Sequence, residues 1–202
     1  NPFAMKTWMT WTRHGLTLLT LTALAALRTS AQPAIPAEYK TSGFAIGCQA
    51  YTFNRFTVFE AIEKTAQAGG KVIEFFPGQK LSKAEPTISW SHDAPDDVIA
   101  KVKAKLAEHQ IKAVNYGVVG IPNNEAGARK IFEFAKKMGL RGITTESTES
   151  IDVIEKLVKE FDVTVGYHNH PRQPNNPNYK VWDPNYIAEL VKNRDPRIGS
   201  CA

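Results

Sequence analysis

The sequence predicts a parallel β/α fold that curls toward a barrel, and three observations carry that expectation. Short apolar, β-branched runs alternate with amphipathic helical stretches, and no two strands are adjacent in sequence, which calls for parallel strands joined by right-handed crossovers. Tyr51-Thr-Phe-Asn-Arg55 follows the first strand, where an open doubly wound sheet usually carries a Gly-rich phosphate loop. Polar residues recur at successive strand ends, the edge on which parallel sheets keep their chemistry.

Residues 44–53 (FAIGCQAYTF) read as the first strand. Thr57 caps the helix after it, where Phe59, Ile62, Thr65 and Ala66 recur at helical spacing and Gly69-Gly70 ends the pattern. Residues 71–77 (KVIEFFP) form a short apolar strand, followed by a long polar loop that contains Trp90 and His92. A helix from Asp96 or Asp97 to Gln110 turns Val98, Val102 and Leu106 inward. The third strand is 111–120, the third helix 124–140 with Ile131, Phe134, Ala135 and Met138 as its stripe, and the fourth strand 141–146. The fourth helix spans 150–161, the fifth strand 163–170, and a Pro/Asn-rich loop 172–179 leads to a helix opened by Asp183-Pro184. Residues 197–202 begin a sixth strand, so 44–202 hold five β/α units and one strand more.

The residues ahead of this pattern read differently. Met5 stands as the start, Lys6 and Arg13 as a positive n-region, residues 16–27 as an apolar h-region and Thr29-Ser30-Ala31 as a cleavage site. Residues 1–31 are thus expected to be a signal peptide, 32–43 a Pro/Ala-rich linker, and the mature chain exported to a periplasmic or extracellular space. The apolar run is short for a membrane span, so no stable membrane association is expected after cleavage. The 202 residues carry 25 Lys and Arg against 20 Asp and Glu, a net charge of +5. Part of that excess sits in the leader, and the remaining lysines alternate with glutamates without a basic patch interleaved with aromatics, which argues against nucleic acid. Cys48 and Cys201 fall in strands far apart and are expected as buried thiols.

Residues 163–170 (VTVGYHNH) concentrate the chemistry. An extended strand puts His168 and His170 on one face, roughly 7 Å apart, and two converging neutral imidazoles suit a divalent metal or a proton transfer. The alternative is a pair of solvated loop histidines. Other strand ends offer Tyr51 and Phe53, Glu74, Asn115 and Tyr116, and Glu146. An acid inside KVIEFF is costly to bury unpartnered, so Glu74 is expected to face the barrel mouth or to pair with a neighbouring base. Glu146 serves the site or caps the helix that follows it.

With those motifs in view, residues 44–202 resemble the xylose isomerase-like barrels, broadly the sugar phosphate isomerases and epimerases. The likeness rests on GCQAYTF (47–53), FEAIEKTAQAGGKVIEFFPGQ (59–79), YHNH (167–170) and RIGSCA (197–202). It implies a (β/α)8 TIM barrel with one divalent ion (Mn, Mg, Co or Zn), held from the ends of strands five to eight. Many members carry Glu-x-His where this chain has His168-Asn169-His170. By that alignment His168 is a metal ligand in place of a carboxylate, and Glu146 supplies the missing carboxylate as ligand or base. His170 is catalytic beside it, Glu74 and His170 orient sugar hydroxyls, and Asn115 and Tyr116 line the substrate side. Tyr51 and Trp182 form walls that stack on sugar faces. An eight-unit barrel takes about 250 residues, so the chain is expected to be the N-terminal part of a longer one, with further ligands on later strands. Alone it is expected to be neither stable nor active.

The function expected from this resemblance is a metal-dependent isomerisation or epimerisation of a ketose or keto-sugar, through proton abstraction next to a carbonyl and an enediolate. Alternatives on the same barrel are a lyase or hydrolase of 3-keto-glycosides, or a non-catalytic exported sugar-binding module. A metallohydrolase of the amidohydrolase type would carry His-x-His on its first strand rather than its fifth. Endonuclease IV-like action on DNA would need a basic groove. The expected partner is a small sugar, with homo-oligomerisation left open.

Overall fold

A computed structural model describes residues 34–201. The expected leader, the first two residues of the linker and Ala202 lie outside the described residues. Within the rest of the linker, Ala37–Tyr39 form a short 3-10 turn, and Thr41 bridges Phe44. No described helix is long and apolar enough to cross a membrane.

The elements alternate without exception: β1 (Gly47–Gln49), α1 (Val58–Gln67), β2 (Val72–Phe75), α2 (Asp96–Glu108), β3 (Lys112–Tyr116), α3 (Glu125–Met138), β4 (Gly142–Thr145), α4 (Ile151–Phe161), β5 (Thr164–His168), α5 (Pro184–Val191) and β6 (Ile198–Cys201). The strands form one sheet in the order β1-β2-β3-β4-β5-β6, every neighbouring pair parallel. A doubly wound sheet reverses its order at a switch point. This one does not, and its strand order is that of a barrel wall. The fold is therefore a partial (β/α)8 barrel of five β/α units and a sixth strand.

Local chemistry sets the element ends. Thr57 and Glu60 close a reciprocal capping box at the start of α1. Asn124 accepts from the Gly127 N–H to cap α3, and Gly139 ends that helix at φ 68°, a left-handed position that a Cβ disfavours. Asp183 caps α5 and Pro184 occupies its first turn. Two strands are shorter than their apolar runs suggest. The expected strand 44–53 stops at Gln49, whose side chain accepts from the Tyr51 N–H and turns Ala50–Phe53 into a 3-10 helix. The expected strand 163–170 stops at His168, ahead of Pro171.

The core lies between the sheet and its helices. Ile73, Phe75, Tyr116, Ile143, Val165, Tyr167 and Ile198 alternate onto that side and are all buried. Trp90 comes from the long β2–α2 loop, yet it is wholly buried, edge-on to Phe75 at 5.6 Å and to Phe134 at 5.3 Å. The opposite face is concave. Gln49 on β1 reaches past β2 to donate to the Gly117 carbonyl at the end of β3, at 2.8 Å. Adjacent strands stand about 4.8 Å apart, so a flat sheet would hold β2 and β6 on the order of 19 Å apart, yet Glu74 on β2 lies within electrostatic range of Cys201 on β6.

Candidate functional site

The concave face is polar where the convex face is apolar. Gln49 pairs in register with Glu74, and Glu74 with Asn115. Thr144 on β4 pairs with Gly166, and two residues further along β5 on the same face His168 pairs with Cys201 on β6. A register shift between Ile73 and Glu74 places Glu74 opposite Asn115 rather than Val114. That slip turns Asn115 into the concave face and Tyr116 out of it.

Glu74 is the hub of this row. Burial raises its carboxyl above the ordinary value, while hydrogen bonds from Thr144 and Asn115 and the nearby His168 pull the other way. The Asn115 amide also donates to Thr144 Oγ1 at 2.5 Å. Gly142, opposite Asn115 on β4, leaves the space this amide needs, because a Cβ there would stand 2.3 Å from Asn115 Oδ1. Cys201 is a free thiol, pushed up by burial and then by the Glu74 charge, with a Thr144 hydrogen bond opposing.

A second group gathers at the rim around Tyr179, from the β5–α5 loop. Its hydroxyl donates to Glu146 Oε2 at 2.7 Å, its ring meets His170 edge-on at 6.1 Å, and its carbonyl accepts from Trp182 Nε1 at 2.9 Å. Burial, then the Glu146 hydrogen bond, pushes the Tyr179 hydroxyl up to about 12. The rings of His168 and His170 lie 6.2 Å apart. They are neighbours at the end of the sheet: His168 is the last residue of β5, and the exposed His170 lies two residues beyond it, past the strand's last paired residue.

Most of the expected site residues thus converge in two clusters, Glu74, Asn115 and His168 inside and Glu146 and His170 at the rim. Tyr51 is 61% exposed and packs edge-on against Phe76 at 5.1 Å. Trp182 belongs to the loop rather than to a wall opposite Tyr51. Tyr116 does not line the substrate side: it is 0% exposed, its ring tilted against Phe134 at 4.9 Å, with the His92 N–H donating to its hydroxyl at 3.2 Å. Burial raises the Tyr116 hydroxyl pKa as well. Sequence reasoning missed Thr144, Cys201 and Tyr179. Thr144 was open to inference from its place two residues after Gly142, whereas nothing local marks Tyr179.

A metal fits these residues poorly. Among the described residues, no three His, Cys, Asp or Glu side chains are grouped to hold an ion. Glu74 and His168 lie within electrostatic range of one another but fall short of the three protein donors of a typical catalytic zinc site. Glu146, expected as the second donor beside His168, is engaged by Tyr179.

Similar solved structures include an uncharacterised protein from Parabacteroides distasonis ATCC 8503, 29% identical, with a TM-score of 0.67 over 79% of this chain and 63% of that one. They also include a D-tagatose 3-epimerase-like protein, 11% identical, TM-score 0.47, over 77% and 64% of the two chains. A D-psicose 3-epimerase solved in the presence of D-fructose is 13% identical, TM-score 0.43, over 63% and 53%. Sugar 3-epimerases are among its structural neighbours. At these identities the likeness to the epimerases shows neither activity nor substrate. The chain spans 63% of the length of the Parabacteroides protein. No family model and no curated protein sequence matches it.

Proposed function

We propose that the chain carries the acid/base half of a sugar isomerase or epimerase, acting on a ketose or keto-sugar at the concave mouth. One observation carries this reading: a half-buried Glu74 carboxyl, bonded to Asn115 and Thr144, lies within electrostatic range of an imidazole, His168, at the C-terminal end of a parallel sheet. A carboxyl whose pKa burial raises is better able to donate a proton to a substrate carbonyl or hydroxyl, and an imidazole removes the proton on the adjacent carbon. Returning that proton to the neighbouring carbon isomerises the sugar, and returning it to the opposite face epimerises it. Expelling a leaving group instead gives elimination, the route to a lyase. Glu146 and His170 flank the site, with Glu146 held in reserve by the Tyr179 hydroxyl. A divalent ion would need donors beyond Glu74 and His168, and no step here is routed through one. Export by the N-terminal leader belongs to the same proposal.

The test is wash-in of solvent deuterium at the carbon next to the carbonyl of D-fructose, followed by proton NMR. Glu74→Gln and His168→Gln are each expected to slow the exchange by at least about 10²-fold. Exchange at the wild-type rate in both variants would remove the assignment. Metal analysis of the same preparations tests the ion separately.

A further inference from the structure

The long β2–α2 loop is fastened to the rest of the fold at two points. Near its start, Gln79 is buried, and its amide donates to the carbonyls of Phe53 and Phe56 at 3.1 and 3.0 Å. Near its end, His92 meets Tyr116 of β3, and the contact is double: the His92 backbone N–H and ring Nδ1 each lie 3.2 Å from the Tyr116 hydroxyl oxygen. Proton counting fixes the roles. The backbone N–H can only donate, and a hydroxyl has one proton to give. The Tyr116 O–H is therefore donated to Nδ1, and the neutral imidazole carries its own proton on Nε2. His92 also borders a cleft of 140 Å³ between the loop and α3. Among the described residues Asp93 is the one carboxylate close to the ring, 3.8 Å from Nε2 and largely exposed. Lys130 and Glu133 line the cleft from α3, as does Lys137, which pairs with Asp96 of α2 at 2.5 Å.

We infer that His92 and Tyr116 form a pH-operated latch, which holds the end of the β2–α2 loop against β3 while the imidazole is neutral and releases it on protonation. A protonated ring carries a proton on both nitrogens. Nδ1 and the backbone N–H then both donate to the Tyr116 oxygen, and the Tyr116 proton is left without an acceptor. Tyr116 is wholly buried with its ring against Phe134, and among the described residues its hydroxyl has no hydrogen-bond partner besides His92. A buried donor left unpaired is costly, and withdrawal of His92 lets water reach it. Burial holds the His92 ring below its ordinary 6.5; Asp93 opposes this and Lys130 adds to it. The contribution of the pair to stability is thus fully present above 6.5 and is lost as pH falls through the lowered folded value. Release reaches only the residues between Trp90 and α2, because Trp90 is packed on Phe75 and Phe134 and its N–H is held by the Gln79 carbonyl at 2.8 Å. The latch lies on the helix side of the sheet and stands independently of the chemistry assigned to the concave mouth.

Hydrogen exchange of the full chain tests this, read by NMR at the backbone amides of His92 and of α3 and corrected for the intrinsic rate at each pH. Between about pH 7.5 and about pH 5, protection of the His92 N–H is expected to fall at least about fivefold, the loss of one buried hydrogen bond, while the α3 amides keep theirs. His92→Asn sets a carbonyl oxygen near the place of Nδ1, where it accepts from the Tyr116 O–H and does not titrate. In that variant the amide at position 92 is expected to be equally protected at both pH values. Tyr116→Phe removes the shared oxygen; there the His92 amide is expected to exchange fast at both pH values, and the titration of the His92 ring, followed at its Cε1 proton, to move up toward 6.5. Equal protection of the wild-type His92 amide at both pH values overturns the latch. So does a fall of the same size in His92→Asn, or one shared by the amides of α3.

Discussion

At the scale of single residues, Glu74 is where stability and chemistry pull in opposite directions. Its folded pKa is raised above the ordinary 4.5, chiefly by burial. Its contribution to stability is therefore fully present below that value and is lost as pH rises through the raised folded pKa. A glutamine keeps the shape and removes the charge. Glu74→Gln is expected to raise the melting temperature relative to wild type at about pH 7.5, and the advantage is expected to shrink toward about pH 4. Thermal melts at both pH values check this, and a variant less stable than wild type at the higher pH would make Glu74 a structural ion-pair member instead. This residue was legible in the sequence because an acid interrupts an apolar run. The exclusion of Tyr116 was not, because a single register slip between Ile73 and Glu74 exchanges the faces of Asn115 and Tyr116, and no local propensity announces it.

The elements themselves follow from caps and turn residues, and their boundaries test how firmly. Thr57→Ala removes one half of the α1 capping box and is expected to cost about 1 kcal/mol in urea denaturation. The other half, Glu60, is held down to about 2, first by the Lys83 side chain and then by the Thr57 N–H. Its stabilisation is present above the ordinary 4.5 and is lost as pH falls toward about 2, so the penalty of Glu60→Gln is expected to fade in acid. A penalty that stays constant through that window would mean that the reciprocal bond contributes nothing. Helices with such caps could be placed within a few residues from sequence, as the span of α3 between Asn124 and Gly139 shows. The ends of β1 and β5 could not. A glutamine side chain takes the N–H two residues on in one case, and in the other the strand ends at His168, three residues ahead of Pro171. Trp90 shows the same limit: its loop looks polar, but it fills a gap beside Phe75 and Phe134 that exists only once β2 and α3 are packed.

Across the whole molecule, the absence of a Gly-rich loop after β1 pointed to a barrel-type sheet, and an unreversed strand order is what that choice predicts. The same order leaves β1 and β6 at its two ends, each with one neighbouring strand among the described residues. The approach to β1 is apolar and open, with Phe44 73% and Ile46 50% exposed. The Ile46 carbonyl already accepts from the Lys71 N–H at 2.7 Å, so its backbone is tied to the β2 side while its side chain is left to solvent. Open strand edges beside exposed apolar side chains pair with other chains unless charge prevents it. The protein is therefore expected to associate as its concentration rises. Phe44→Lys with Ile46→Lys is expected to lower that association at least severalfold while leaving the circular dichroism spectrum unchanged, because neither side chain contributes to the buried core. Sedimentation velocity over a concentration series measures it. Equal association in wild type and the double variant would show that the β1 edge is already protected.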